Sequence, residues 1–455
     1  MTGDVVETRL PRLRWELLTG GHALLHEDGF RQLWLGRLLS HTGLNMVLYT
    51  LLVLAVGDSG SGSSIKSALF ITAYILPTAT LGTISGVLVD RLPKNLVLAA
   101  VNVARLALMF LLIVSNPSLG TIYGVALLIA ITSQFATPAE AAALPQLVRS
   151  NQLTSANSIS NLGGLVSQIV GFAVLPALFL NTVGERPLFF VAGVLFGAGA
   201  LVFLSIHHLG SRQIDIDSTI DAVQQVRKQF AQAWDTLNRD LVAYMAVIIV
   251  VLASTASLVA VTLMPRFVTG PLGMEVQNAI YVFAPAAVGV LAGLRLVQWL
   301  DRRLAAGWLL GWGFAMLAGS LFALGLIRPL GSWLEAMNAF GMFDPGPFGD
   351  TSARIILTAI FSSAAAFSFS VLGVASRSIV QQRMPMELQG RIFAAQNVLI
   401  NLASIPPILL AGLLAEVFTV EAVLFLFVII MVGAAGWAFA RAAARPGPLV
   451  DAEAS

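Results

Sequence analysis

Ionisable and amide side chains are sparse in this sequence, and those that interrupt its long apolar runs mark where chemistry could happen. Glu140 lies between Pro138 and Pro145 in a stretch otherwise rich in Ala and Leu. An acid in such surroundings could carry a proton or act as counter-ion for a cationic ligand. It could equally sit near the water level, paired structurally with Arg37 or Arg105. His41, Asn45 and Tyr49 are spaced by four residues, which places them on one face of a helix. An imidazole titrates near neutral pH, so His41 could couple a process to protons; the plainer role is a hydrogen-bonded packing residue. Asn157, Asn161 and Gln168 fall on one side of a helix at a period of 3.6. Asn397 and Asn401 repeat that arrangement later in the chain. With Tyr74 and Gln134 these amides are candidate cavity-lining groups, and hydrogen bonding between helices is their alternative role.

The elements that must position these residues follow from composition. Of the 455 residues, 57% are hydrophobic and 11% charged, with a mean hydropathy of +0.84. Soluble chains carry about 25% charged residues, so most of this surface cannot face water. A membrane β-barrel would alternate apolar and polar residues, whereas runs such as 241–264 are continuously apolar. In lipid such a run satisfies its backbone only as a helix. About 20 apolar residues span the hydrocarbon core, and this predicts twelve spans. Six lie in the first half (31–56, 67–89, 95–114, 120–147, 157–181 and 187–206) and six in the second (240–264, 277–300, 305–327, 354–380, 389–415 and 420–440). A polar stretch, 207–239, separates the halves and has the pattern of a surface linker helix. Domains are therefore expected at 30–206 and 240–441, flanked by an N-terminal segment 1–29 and a tail 442–455.

With the N-terminus placed inside, 17 of the 26 Lys and Arg residues fall on the cytoplasmic side, 5 outside and 4 within spans. That asymmetry supports cytoplasmic termini. The halves also resemble each other. Aligning Asp90 with Asp301 brings Arg91 onto Arg302 and Gly82 onto Gly293, at the end of the second span of each half. The net charge of +2 gives no reason to expect a nucleic-acid partner, and without cysteine there is no thiolate metal site, disulfide or Cys nucleophile. No nucleotide-binding G-x-x-x-x-G-K-[ST] loop is present. Neither an enzyme nor a cofactor or metal is expected. The segment 328–353, with Trp333, Leu334, Met337, Phe340 and Phe343, reads as an amphipathic element in the outer interface; a docking surface for a protein partner is its alternative.

The loop Gly86-Val-Leu-Val-Asp90-Arg91-Leu-Pro-Lys94 resembles the motif G-x-x-x-D-R-x-G-R/K of the major facilitator superfamily, with Pro93 in place of the second glycine. Phe30-Arg31-x-Leu33-Trp34-x-Gly36-Arg37, Pro138-Ala-Glu140 with Leu144-Pro145, and Pro385-x-Glu387-Leu-x-Gly390-Arg391 are similar to exporter branches that include macrolide efflux and enterobactin exporters. The resemblance implies an all-α membrane protein of two pseudo-symmetric six-helix bundles, in a bacterial cytoplasmic membrane, working by alternating access. It implies export; a cavity whose remaining surface is Phe, Met, Leu and Ala suits small amphipathic or hydrophobic cargo, with lipid or lysolipid movement, or a non-transporting receptor or scaffold, as alternatives. It further implies that Gly86, Asp90, Arg91 and Lys94, with Asp301, Arg302 and Arg391 opposite, form a cytoplasmic latch. Span five departs from the antiporter pattern: Gly171-Phe172 is followed only later by Pro176.

Overall fold

The computed structural model describes residues 24–57, 63–115, 117–149, 152–180, 182–206, 209, 234–300, 306–336 and 352–443. Among them every regular element is a helix. The first half contributes α1 (Asp28–Gly57), α2 (Ser64–Arg91), α3 (Lys94–Val114) and α4 (Leu119–Leu147). It continues with α5 (Leu153–Gln168), which passes through a π-helical turn (Ile169–Val174) into α6 (Leu175–Leu180), and ends with α7 (Glu185–Leu204). The second half contributes α8 (Leu241–Thr269), α9 (Ile280–Leu300), α10 (Ala306–Gly325), the short α11 (Ile327–Ala336), α12 (Ser352–Arg383), α13 (Met386–Val417) and α14 (Val420–Ala443). Counting α5, the π-turn and α6 as one span, and setting α11 aside, this is the twelve-helix arrangement expected from the sequence. Eight of the helices are long and apolar enough to cross a membrane by length and composition alone.

The chain forms two compact units. The first comprises 1–50, 81–117 and 131–219; the second comprises 51–80, 118–130 and 220–455. In the first, α3 packs along α7, where small residues allow close approach: a Cβ at Gly193 would lie 3.3 Å from Leu106 and one at Gly199 3.3 Å from the Asn102 amide. Lipid supplies no hydrophobic drive between helices, so such small-residue contacts carry the packing. Phe30, Phe189, Phe196 and Phe203 are its largest fully buried side chains. In the second unit α8, α10 and α12 share a core of Val247, Val251, Leu310, Leu317, Leu372 and Ile379. The repeat relation read from Gly82 and Gly293 has a packing counterpart. Gly82 faces Gln134 of α4, and Gly293 lies against Phe367 and Ser370 of α12. Each glycine of a second span thus meets the fourth span of its own half.

The π-turn has a local cause. Pro176 has no N–H, so the Phe172 carbonyl has no i+4 donor. The chain responds by widening, with the Leu175 N–H bonding to the Val170 carbonyl. α11 follows α10 almost at once and is short and strongly amphipathic, with Ile327 and Gly331 buried and Trp333 61% exposed. This is the beginning of the 328–353 segment; 337–351 lies outside the described residues, as do most of the 207–239 linker, residues 1–23 and the tail from 444.

Candidate functional site

Glu140 sits in α4, 6% exposed, and two bases from α1 converge on it. Arg37 Nε lies 2.9 Å from Glu140 Oε2, and His41 Nε2 lies 3.1 Å from both carboxylate oxygens. Arg37 and His41 are four residues apart, so one face of α1 presents both. A buried carboxylate is tolerable only with such partners. The Arg37 and His41 side chains are 24% and 36% exposed, so the bases reach toward a cavity while the acid does not. That cavity, of about 20 Å³, is lined by Trp34, Arg37, Leu38, His41, Ser160, Gly163 and Gly164. Its volume matches about one water molecule.

α5 and the π-turn after it complete the wall because their glycines let α1 come close. A Cβ at Gly163 would lie 2.7 Å from Trp34 Nε1, and one at Gly171 would lie 2.6 Å from the Thr42 carbonyl oxygen and 2.7 Å from Asn45 Cβ. Two hydrogen bonds fix the register. Trp34 Nε1 donates to the Ile159 carbonyl at 3.2 Å, and Ser167 Oγ donates to the Leu38 carbonyl at 3.0 Å.

Behind this cluster Arg105 of α3 is 2% exposed. It donates to three hydroxyls: Ser40 at 3.1 Å, Thr132 at 3.0 Å and Ser133 at 2.8 Å. The Phe196 ring lies 5.8 Å away, within cation–π range. Its charge also acts electrostatically on Glu140. Sequence reasoning placed Arg105 in an ion pair; the three bonds above go to hydroxyls, two of them from the adjacent Thr132-Ser133 pair one span later.

The other sequence-derived candidates are distributed as follows. Asn45 is half-buried beside Gly171, while Tyr49 is 2% exposed with its ring edge-on to Phe172 at 6.0 Å. The α1 stripe therefore runs from the cavity into packed interior. Tyr74 and Gln134 are half-buried; Asn161 and Gln168 are exposed on α5. Asn397 is exposed and its carbonyl accepts from the Asn401 amide at 2.8 Å. Asp90 is exposed at the end of α2, and Lys94, 4% exposed, donates to the Asp90 carbonyl oxygen at 2.7 Å. Gly86 has open space around its Cβ position, and Arg391 is half-buried on α13. Asp301 and Arg302 lie outside the described residues.

A second constellation escaped sequence reasoning. Glu416, near the end of α13, accepts from Ser63 Oγ at 2.9 Å, from the Ile65 N–H at 3.1 Å and from Arg266 Nη1 at 2.8 Å. Nothing in the spacing of these residues joins positions so far apart in the chain.

No group of three or more His, Cys, Asp or Glu side chains with metal-binding geometry occurs among the described residues. No curated protein sequence matches the chain. Solved structures do. The chain is similar to a mutant of the nucleoside transporter NupG (12% identity, TM-score 0.67, covering 90% of this chain and 99% of that one). It is also similar to a bacterial homolog of the human lysosomal transporter Spinster in an inward-facing, unoccupied conformation (14%, 0.65, 92% and 97%). A mutant of the peptide transporter POT in complex with sulfate is a third (11%, 0.67, 92% and 95%). At these identities the likeness is one of fold. A family model described as Major Facilitator Superfamily matches residues 33–407, and the chain, a membrane-embedded protein with a secondary-transporter fold, belongs to that superfamily.

Proposed function

We propose that the protein exports small amphipathic or hydrophobic molecules by alternating access, and that protons enter the cycle at His41 and Glu140. The observation that carries this reading is the shared grip of Arg37 and His41 on one buried carboxylate beside a small cavity. A charged group inside a span is costly and usually serves a pathway. Arg37 keeps its charge throughout, so the members open to protons are His41 and Glu140, and with Glu140 ionised the charge of the cluster follows His41. When it is protonated, the two bases and the acid sum to one positive charge; when it is neutral, they sum to zero. A proton arriving at His41 from the cavity therefore changes how tightly α1 is held to α4. Export as the direction rests on the resemblance of the 30–37, 138–145 and 385–391 segments to exporter branches. The latch reading of Gly86, Asp90, Arg91 and Lys94, with Asp301, Arg302 and Arg391, belongs to the same cycle. So do residence in a bacterial cytoplasmic membrane with both termini inside, and a monomeric state.

The test uses purified protein in liposomes, an imposed pH gradient and a lipophilic cationic dye. The expected result is gradient-driven dye movement that His41→Ala abolishes while dye exchange without a gradient persists. Dye movement in the His41→Ala variant that still follows the gradient overturns the coupling role.

A second reading, lipid or lysolipid movement, is favoured by a separate feature. An apolar cavity of about 100 Å³ opens among Leu252, Ala256, Val259, Leu321, Pro407 and Phe427. Lipid scrambling in the same liposomes without any gradient, with no dye movement, would select it.

A further inference from the structure

The Glu416 constellation joins one end of α2 to the ends of α8 and α13, and its details point to more than a salt bridge. Ser63 occupies the N-cap position of α2: its carbonyl accepts the Ser67 N–H at 3.4 Å. A serine there normally turns its hydroxyl inward to accept the N–H of the second or third helical residue, which here are Ile65 and Lys66. In this structure it does not. Ser63 Oγ donates outward to Glu416, and the Ile65 N–H goes to the same Glu416 oxygen. The carboxylate of α13 thus caps α2 in place of its own serine. A negative charge at a helix N-terminus is favoured by the helix dipole, and Arg266 of α8 holds the second carboxylate oxygen. One turn further in, α2 and α13 are almost in backbone contact. A Cβ at Gly412 would lie 2.5 Å from Ala68 Cβ and 3.0 Å from the Ser64 carbonyl.

We infer that α2 exchanges its N-cap during the transport cycle: Glu416 caps it while α2 and α13 are fastened, and Ser63 caps it once they part. Ser63 and Glu416 are thereby positioning residues for transport, and this inference rests on the alternating-access reading. The physical reason is that separating the helices would otherwise strand the Ile65 N–H at a helix end. Rotation of one side chain, Ser63, supplies the replacement acceptor. The exchange brings the fastened and parted states closer in free energy than an ion pair alone would. It also reseals α2 in each state, so the helix does not fray as it moves.

The test exploits the absence of native cysteine. Ser67 is fully buried one turn below Ser63, and Ser67→Cys is a near-isosteric reporter that a hydrophilic maleimide reaches only when the helices part. The protein is studied in nanodiscs, so both faces meet the reagent. Glu416→Ala in this background should label at least tenfold faster. Ser63→Gly and Ser63→Ala both remove the hydroxyl that Glu416 accepts, so they weaken the fastened state equally. Glycine remains a serviceable N-cap and alanine does not, which makes the Gly variant label about fivefold faster than the Ala variant. Equal rates for the Gly and Ala variants, or no acceleration by Glu416→Ala, would overturn the exchange. Labelling needs no substrate. Loss of the predicted pattern with dye transport intact sinks the cap exchange alone, and the predicted pattern without any dye transport sinks the exporter reading alone.

Discussion

Gly171→Ala tests whether the contact between α1 and the π-turn sets the geometry of the Glu140 cluster. The added methyl would sit 2.6 Å from the Thr42 carbonyl oxygen, where ordinary contact begins near 3.4 Å, a shortfall of 0.8 Å. Its neighbours are backbone or Cβ atoms of α1, including the Met46 N at 3.1 Å. No side chain can rotate away, so α1 itself must shift. Overpacking of this kind costs about 1–3 kcal/mol, partly offset by the roughly 1 kcal/mol by which alanine outperforms glycine in a helix. The variant should therefore fold, with a melting temperature lowered by a few degrees at most. Its function should suffer more. His41 is 3.1 Å from the Glu140 oxygens, and a hydrogen bond is lost beyond about 3.5 Å, so half of the required shift exhausts the slack. The Ser167–Leu38 bond, at 3.0 Å between the same helices, stretches directly. The assay compares thermal stability in detergent with gradient-driven dye transport in liposomes. Gly124→Ala on α4, where nothing lies within 4 Å of the new Cβ, is the control and should match the parent in both. Gradient-driven transport undiminished in a Gly171→Ala protein of parental stability would refute the reasoning.

Other predictions follow from the same geometry. Arg37→Met leaves His41 in direct contact with Glu140 and Arg105 acting on it from farther off. It should cost about 2 kcal/mol, below the range for a fully buried pair because Arg37 is partly exposed, and should abolish transport, whereas Arg37→Lys retains part of both; melting curves and dye flux report the two. Arg105→Met removes a charge from three hydroxyls and should destabilise by on the order of 2 kcal/mol or more. Restoring an apolar lining with Ser133→Ala in the Arg105→Met background should recover part of that loss of melting temperature.

The twelve spans were legible because lipid leaves a 20-residue apolar run one regular structure to adopt, and the Gly82–Gly293 relation was legible because both halves solve the same packing problem. The Arg37–Glu140 pairing was within reach, since a buried acid needs a base and few exist. The meeting of His41 with Glu140 was not: the two are 99 residues apart, and helical periodicity assigns a face without naming its neighbour. The hydroxyl cage of Arg105 was missed for a related reason, because its oxygens come from two other helices, α1 and α4, whose faces helical periodicity does not bring together. Gln168 and Asn161 are both exposed on α5. The 3.6 period places Gln168 with Asn161, and Gln168 directly precedes the π-turn, where the period changes. Tyr49 extended a polar stripe in the sequence, but its ring is buried edge-on against Phe172.

The wide turn at Ile169–Val174 also bears on how this region tolerates changes of length. A π-turn accommodates one residue more than an α-turn. Removing a single residue from it leaves Leu175–Leu180 with the faces it already presents, although Pro176 still denies a donor to the carbonyl four residues before it. The same deletion within Leu153–Gln168 would swing everything before it by about 100° relative to everything after it, carrying Gly163 off Trp34. A length change that keeps the register at one point of this span destroys it a few residues away.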